Sequence, residues 1–367
     1  MDLSVVIPCL NESETLNICI NKIKKQLSEN DINGEIIVAD NGSTDGSIEI
    51  AKKNNVKIIN VQSKGYGNAL RNGINNANGK YIFIADADNS YDFNEIKRFY
   101  NKISEGYDLV QGCRLPSGGG KIEKGAMPIT HRLIGNPLFS FLTKKLFKLK
   151  VNDVYCGIKI FRRDAYKKMF FFSTGMVFCL EILIKFNQFK YKVCELPTTL
   201  YKDGRIKGKS HLKTVSDGLK TLKFLLIFSP KWVFFFPATI LLVYSTVIIF
   251  HQILNPNIIN IKQLYLSLAS IHIAIQVTML GLYSYLRSED LGFLRSQRLK
   301  ILFNFFTLKK SITISLVGIL FSVLNFFFNA THFLNDVNKF IISLFLFLIF
   351  INLLFNSLFV ALLKENN

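Results

Sequence analysis

The first 85 residues alternate short apolar runs with segments whose apolar positions recur every three or four residues. Ser4–Pro8 (SVVIP), Glu35–Ala39 (EIIVA), Lys57–Val61 and Lys80–Ala85 (KYIFIA) read as buried strands. Between them, Glu12–Leu27 places Leu16, Ile20, Ile23 and Leu27 on one helical stripe, and Ser47–Asn54 and Ala69–Ala77 read as shorter helices. This alternation predicts βαβ units and a mainly parallel, Rossmann-like sheet covered on both faces. Ligands of such sheets bind beyond the carboxyl ends of the strands. The polar residues that follow each strand are therefore the candidate chemistry.

From residue 233 the pattern changes. Val233–Phe250, Leu264–Leu286, Ile312–Ala330 and Phe340–Leu363 are long runs without a charge. Each comes close to the about 20 residues that cross a bilayer core at about 1.5 Å per residue. The expectation is a transmembrane domain over 233–367 with four spans, at 233–254, 264–286, 311–330 and 340–363. The loop between the second and third spans holds Arg287, Arg295, Arg298, Lys300, Lys309 and Lys310, whereas the other two loops carry only Lys262 and Lys339. The positive-inside rule then places the basic loop in the cytosol. An even number of spans puts the α/β domain, residues 1–211, and both termini there as well.

Charge sharpens this division. Residues 233–367 hold nine basic and four acidic residues, so 14 of the net 19 positive charges fall in residues 1–232. Such a surplus calls for an anionic partner. No nucleic-acid module is recognisable, and the basic cluster of Lys202, Arg205, Lys207, Lys209, Lys213, Lys220, Lys223 and Lys231 adjoins the first span. Within it, residues 212–232 become amphipathic, with Val215, Leu219, Leu222 and Leu226 opposed to Lys213, Lys220 and Lys223. They read as an interfacial helix on anionic lipid. The six cysteines show no C-x-x-C spacing and read as reduced core thiols. The N-terminus MDLSVVIPCLNE enters a strand directly, without the pattern of a cleaved signal peptide.

Three polar segments follow strands. Asp86-Ala87-Asp88-Asn89-Ser90 succeeds YIFIA, and two carboxylates one residue apart can share a hard cation that also holds a diphosphate. Asp40-Asn41-Gly42-Ser43-Thr44-Asp45-Gly46 succeeds EIIVA; an ordinary turn with Asp45 as helix cap accounts for its later part and leaves Asp40 free to meet a ligand. Lys64-Gly65-Tyr66-Gly67-Asn68-Ala69 only partly matches a dinucleotide fingerprint and lies outside the first βα turn, which excludes a nicotinamide-dependent dehydrogenase. It reads instead as a helix entry that brings Lys64 and Arg71 near phosphates.

In this order and spacing, SVVIPCLNE, IIVADNGSTDGS and KGYGNALRNGINNANGKYIFIADADNSYD resemble glycosyltransferase family 2. The later segments GAMPITHRLIGNP, DVYCGIKIFRRDAY and GMVFCLEILIK make the likeness narrower. They are similar to polyprenyl-phosphate glycosyltransferases of the dolichyl-phosphate mannose/glucose synthase type, over residues 3–235. The resemblance implies a GT-A fold, a UDP- or GDP-sugar donor, a polyprenyl phosphate acceptor, Mg²⁺ or Mn²⁺, and inversion at the anomeric carbon. By the same resemblance Pro8, Glu12, Asp40, Lys64, Arg71 and Asp86 are donor-site positions, and Asp86 and Asp88 are the metal motif. Arg114 and Arg132 correspond to arginines that hold the acceptor phosphate, and Asp153 to an acid near the acceptor. Ser90 stands where some relatives carry a further metal ligand, and Cys156–Gly157 lacks an acid found in others. The Gly-rich stretch Ser117–Gly120 reads as a mobile acceptor loop, and Asp153 has an ion pair with Arg162 or Arg163 as its structural alternative.

Rival readings are a processive polysaccharide synthase, transfer to a lipid-linked saccharide, and a lipid-sugar transporter with a degenerate transferase domain. Ser229-Pro230-Lys231-Trp232 lacks the Gln and Arg that processive relatives place there. The spans contain no Asp, Glu, Lys or Arg to mark a transport path. The additional spans are compatible with anchoring, homo-oligomer contacts or handover of the lipid product.

Overall fold

A computed structural model describes residues 1–206, 214–255, 260–294, 308–330 and 337–365. Lys207, Lys209, Lys213, Arg295, Arg298 and Lys300 of the basic segments lie outside the described residues. Two compact units emerge: Met1–Leu225 with Leu291–Phe293, and Leu226–Asp290 with Leu294–Asn367.

The first unit is built on a seven-stranded sheet. Its strands are β1 (Leu3–Cys9), β2 (Gly34–Asp40), β3 (Lys57–Asn60), β4 (Tyr81–Ile84), β5 (Leu109–Cys113), β7 (Lys159–Arg162) and β8 (Val193–Pro197), in spatial order β3-β2-β1-β4-β7-β5-β8. A small second sheet pairs β6 (Lys121–Ile122) with β9 (Thr199–Leu200). Every pairing in the main sheet is parallel except those of β7, which runs antiparallel to β4 and β5. β1, β2 and β4 are continuous apolar runs because helices cover both faces. The helical stripe Leu16, Ile20, Ile23 and Leu27 packs on one face from α1 (Leu16–Glu29). The strands expected from the sequence appear within one or two residues. The first helix starts later than expected, at Leu16, because Asn11 adopts φ +55° and residues 12–15 form a turn first.

The remaining helices of this unit are α2 (Ser47–Lys53), α3 (Tyr66–Asn75), α4 (Glu95–Ser104), α5 (Asn136–Phe147), α6 (Arg163–Lys167), α7 (Phe178–Gln188) and α8 (Thr214–Ile227), which runs into the second unit. The sequence stripe Val215, Leu219, Leu222 and Leu226 of α8 faces outward, with Val215 74% exposed, while Phe224 and Leu225 turn inward.

The second unit holds α9 (Phe236–Leu254), α10 (Ile261–Asp290), α11 (Leu308–Ala330) and α12 (Val337–Glu365). Helices α9 and α10 pack together, as do α11 and α12. Gly281 of α10 admits the Phe234 Cβ and the Phe235 ring, and Gly318 of α11 admits the Phe350 ring. Among the described residues, three segments are long and apolar enough to cross a membrane: Lys231–Leu254, Ile261–Asp290 and Ile341–Phe359. The fourth expected span, 311–330, falls within helix α11, Leu308–Ala330.

Candidate active site

The sheet order gathers the sequence motifs. β1 lies between β2 and β4, so Glu12, Asp40 and the Asp86–Ser90 loop all leave the sheet at one carboxyl edge. The antiparallel β7 contributes its entry instead of its exit: Asp153–Gly157 precede it and reach the same edge. Arg114 follows β5, the strand next to β7.

Asp86 is enclosed. Tyr66, the first residue of α3, donates its hydroxyl to Asp86 Oδ1 at 3.2 Å, and a Cβ on Gly157 would overlap Asp86 Oδ2. Burial and the neighbouring Asp88 charge push Asp86 up to about 6, against the opposing pull of Lys159. Lys159 is itself buried on β7 and donates to the Cys156 carbonyl at 2.8 Å. Asp88 is more open; its Oδ1 accepts from Ser90 N–H at 3.0 Å. Asn89 adopts φ +57°, which turns the loop so that the Asp88 and Ser90 carbonyls accept from Gly204 and Tyr201 N–H, each at 2.9 Å. Through these bonds the Tyr201–Ile206 segment closes against the acidic loop. It carries Arg205, whose guanidinium pairs with Glu12 at 3.0 Å and Asp88 at 3.6 Å and also binds Asp203. Burial nonetheless pushes Glu12 up to about 7, because Arg205 offsets only part of that cost and Asp88 adds to it. Glu12, Asp86, Asp88 and Asp203 are thus only partly offset by Arg205, Lys159 and Arg114.

No group of three or more metal-ligating side chains occurs among the described residues. The site fits a different mode, in which Mg²⁺ or Mn²⁺ is held by one or two carboxylates and completed by substrate phosphates. Crowded carboxylates with raised proton affinity are the electrostatic signature of a place that favours a cation.

Asp40 differs from expectation. Its carboxylate accepts from Gly42 N–H at 2.9 Å and Ser43 N–H at 3.2 Å, so it closes its own turn and is not free. Lys64 lies across that turn, donating to the Asn41 carbonyl at 2.7 Å. The helix cap expected at Asp45 falls one residue later, on Gly46, whose φ of +92° turns the chain into α2; Asp45 stands just outside it and accepts from Ser47 N–H at 3.1 Å. Pro8 sits on β1 opposite Ala39 of β2, one residue before the edge. Arg71, further along α3, acts electrostatically on Tyr166 and Lys185.

The acceptor-side expectations divide. Arg114 and Asp153 are both buried and bind each other: Nε to Oδ2 at 2.7 Å, Nη2 to Oδ1 at 2.9 Å, and Arg114 N–H to Oδ2 at 3.0 Å. Asp153 therefore pairs with Arg114, and the alternative partners Arg162 and Arg163 bind elsewhere, Arg162 to Asp108 and Asp164 and Arg163 to the Ala77 carbonyl. Burial alone raises a carboxyl; here the Arg114 charge and its donors outweigh burial and hold Asp153 below the usual carboxylate range. Glu195 of β8 fixes the same loop through Asn152 and Asp153 N–H at 2.6 and 2.9 Å. Ser117–Gly120 is a tight turn closed by N–H bonds to Leu115 and Pro116, not an open loop. A Cβ on Gly120 would overlap the Cys113 carbonyl. Arg132 is exposed, in the segment 129–141 that also presents Ile129 (73% exposed), Leu133, Ile134, Leu138 and Phe141 outward.

Sequence reasoning passed over Arg205, Lys159, Tyr66 and Gly157. Lys159 carried a signal, a lone charge inside the apolar run GIKIF. Arg205 was hidden by its basic neighbours. Gly157→Ala is expected to displace the Asp86 carboxylate and lower kcat/KM by about 10–100-fold, with the melting temperature within a few degrees of the parent. Kinetics of that variant beside Gly175→Ala, where a Cβ meets nothing within 4 Å, make the check. Equal activity of the two would show that the Asp86 pocket tolerates crowding.

A parallel-sheet domain with an acidic, cation-seeking loop at its carboxyl edge is the architecture of GT-A glycosyltransferases. Residues 4–170 match the model of glycosyl transferase family 2. Agl6, a hexosyltransferase of low-salt glycan biosynthesis in Haloferax volcanii, is 35% identical over 237 residues, covering 64% of this chain and 56% of that protein. The dolichyl-phosphate hexose transferase of the same organism is 28% identical over 197 residues, or 53% of this chain and 81% of that protein. A crystal structure of Mycobacterium tuberculosis glucosyl-3-phosphoglycerate synthase with Mn²⁺, UDP-glucose and phosphoglyceric acid shares the fold. It has a TM-score of 0.50 and 19% identity, covering 61% of this chain and 78% of that one.

Proposed function

We propose that this protein transfers a hexose from a UDP- or GDP-sugar to polyprenyl phosphate at a membrane surface, with inversion and with Mg²⁺ or Mn²⁺. The observation that carries the reading is the cluster of Glu12, Asp86 and Asp88 at the carboxyl edge of a family 2 domain, where burial raises the Glu12 and Asp86 carboxyls. A relative named for dolichyl-phosphate hexose transfer supports the acceptor class.

The chemistry follows from the acceptor. A phosphate monoester has a second pKa near ~6 and is largely a dianion at neutral pH. Its oxygen attacks the anomeric carbon as the bond to the nucleoside diphosphate breaks, and the departing group keeps the bonding electrons. No proton has to be removed. Asp153, committed to Arg114 and held in its ionised form, is therefore a positioning group and not a base. Arg114 is aimed by Asp153 toward the same edge, and Arg132 provides charge for the acceptor phosphate. Lys64 and Glu12 orient the donor, and Arg205 moves from the carboxylates to the diphosphate as the donor enters. Asp88, with Asp86 beside it, would hold the cation, which would supply positive charge to the leaving diphosphate.

The outward apolar residues of 129–141 and of α8, flanked by Arg132, Lys220 and Lys223, support a site that works against lipid. The three long apolar helices support an integral membrane protein; with α11 as the fourth crossing, the number of spans is even and the basic loop after α10 reads the catalytic unit and both termini as cytosolic.

The test is label transfer in membranes with polyprenyl phosphate, either cation, and a panel of UDP- and GDP-sugars. An acid-labile, organic-extractable product is expected. Label found only in a lipid-linked saccharide or a polymer would show that the acceptor assignment is wrong.

A further inference from the structure

Helix α7 carries two charged side chains, Glu181 and Lys185, that are fully buried. Lys185 Nζ donates to Glu181 Oε1 at 2.8 Å and to the Phe170 carbonyl. A buried pair of this kind persists only where its remaining polar atoms are satisfied. Glu181 meets that condition by accepting from Phe172 N–H at 3.2 Å and Ser173 N–H at 2.8 Å. The pair thus holds the backbone of residues 170–173 in place.

Four aromatic rings surround the ammonium: Phe170, Phe171, Phe172 and Phe293, with centroids at 5.8, 5.0, 5.3 and 4.6 Å. Three belong to the segment just before α7. The nearest, Phe293, comes from the tripeptide that follows α10 in the chain and that belongs to the catalytic unit. Phe293 is fully buried and meets Phe172 and Phe224 edge to face, at 5.9 and 5.1 Å. Gly292 delivers it with φ +77°, and a Cβ there would stand 3.1 Å from the Phe189 ring. Both the dihedral and the close approach call for glycine.

The segment held by Glu181 is also the wall against which α3 begins. The Thr174 carbonyl accepts from Asn68 N–H at 3.1 Å. A Cβ on Gly65 would overlap the Thr174 carbonyl oxygen, and one on Gly67 that of Ser173. Gly65 N–H in turn donates to Asn41 Oδ1 at 2.6 Å, and Lys64 holds the Asn41 carbonyl. Packed and bonded groups therefore run without a break from Phe293 through Lys185, Glu181 and Ser173–Thr174 to the turn beside Asp40.

We infer that Leu291–Phe293 is a plug of the catalytic unit, and that Phe293 is a positioning residue which sets the donor-binding start of α3. The inference rests on the nucleotide-sugar reading above. The ring offers its negative face to the ammonium and excludes water from the pair. Without it, the pair hydrates and the wall behind Gly65 and Gly67 loosens.

The test compares full-length Phe293→Ala and Phe293→Leu with the parent, by hydrogen exchange and by steady-state kinetics. In Phe293→Ala, exchange of peptides covering 65–75 and 170–175 is expected to quicken about tenfold. Donor KM is expected to rise about tenfold, with kcat within about threefold and acceptor KM unchanged. Phe293→Leu, which keeps the apolar filling without the aromatic face, is expected to fall between. Exchange in α1 reports overall stability. If 65–75 and 170–175 keep parental exchange, or if α1 loosens equally in both variants, the plug is ordinary packing and the inference fails. The exchange arm needs no substrate. Absence of turnover with every nucleotide-sugar would therefore overturn the functional reading, while exchange still decided the plug.

Discussion

Asp88→Ala is expected to abolish label transfer, with a fall of about 10³-fold, near 4 kcal/mol of transition-state stabilisation. The magnitude follows from what the carboxylate does. With Asp86 enclosed by Tyr66 and Gly157, Asp88 is the more open carboxylate of the pair, able to reach a cation and the diphosphate together. The structural cost is small. Asp88 accepts one bond from Ser90 N–H, worth about 1 kcal/mol, and Arg205 keeps Glu12 and Asp203 as partners. Asp86→Ala is a poorer probe, because it strips charge from beside buried Lys159 and leaves Tyr66 without its acceptor. Initial rates at saturating donor, with thermal melting of the same preparation, make the measurement. A variant that melts like the parent and keeps more than about a tenth of its activity would remove Asp88 from the cation site.

Asp153→Ala is expected to lose activity for another reason: it destabilises the catalytic unit by about 3–5 kcal/mol, leaving the Arg114 guanidinium buried and unpaired. For a unit of this size that is a fall in melting temperature of roughly 6–20 °C. Arg114→Met combined with Asp153→Leu removes both charges and is expected to recover most of the stability but no transfer. The pH dependence has a definite sign. Asp153 is held below the usual carboxylate range. Its contribution to stability is therefore complete above the ordinary aspartate pKa and is lost as pH falls through the depressed native value. Acid melting of the parent should show that loss, and the double variant should lack it. If Asp153→Ala instead melts within about 2 °C of the parent yet does not turn over, Asp153 acts in the chemistry and the pair is not its main role.

Much of this was legible in the residues themselves. The alternation of SVVIP, EIIVA and KYIFIA with helical stripes fixed the α/β class, because a period of two or a continuous apolar run and a period of 3.6 bury different faces. The acidic loop after YIFIA and the long uncharged runs after residue 233 were equally plain, since a strand end and a bilayer each impose a local length and polarity.

Partnership was less legible, because it depends on how a turn bends and on residues distant in sequence. Asp40 was read as free, yet its turn bends so that its own N–H groups take up the carboxylate. Asp153 reads as an acid near the acceptor, with nearby arginines as its structural alternative, yet the antiparallel entry of β7 sets it against Arg114, just after β5 and 39 residues away. Arg205 reaches Glu12 across 193 residues because Tyr201–Gly204 bonds to the Asp88–Ser90 loop. Local periodicity and charge thus determined which elements form, what class of chemistry their ends carry, and which stretches are apolar enough for lipid. Strand order and the direction of β7 decided which charges meet at the site. Those are long-range contacts, and no window of sequence contains both partners.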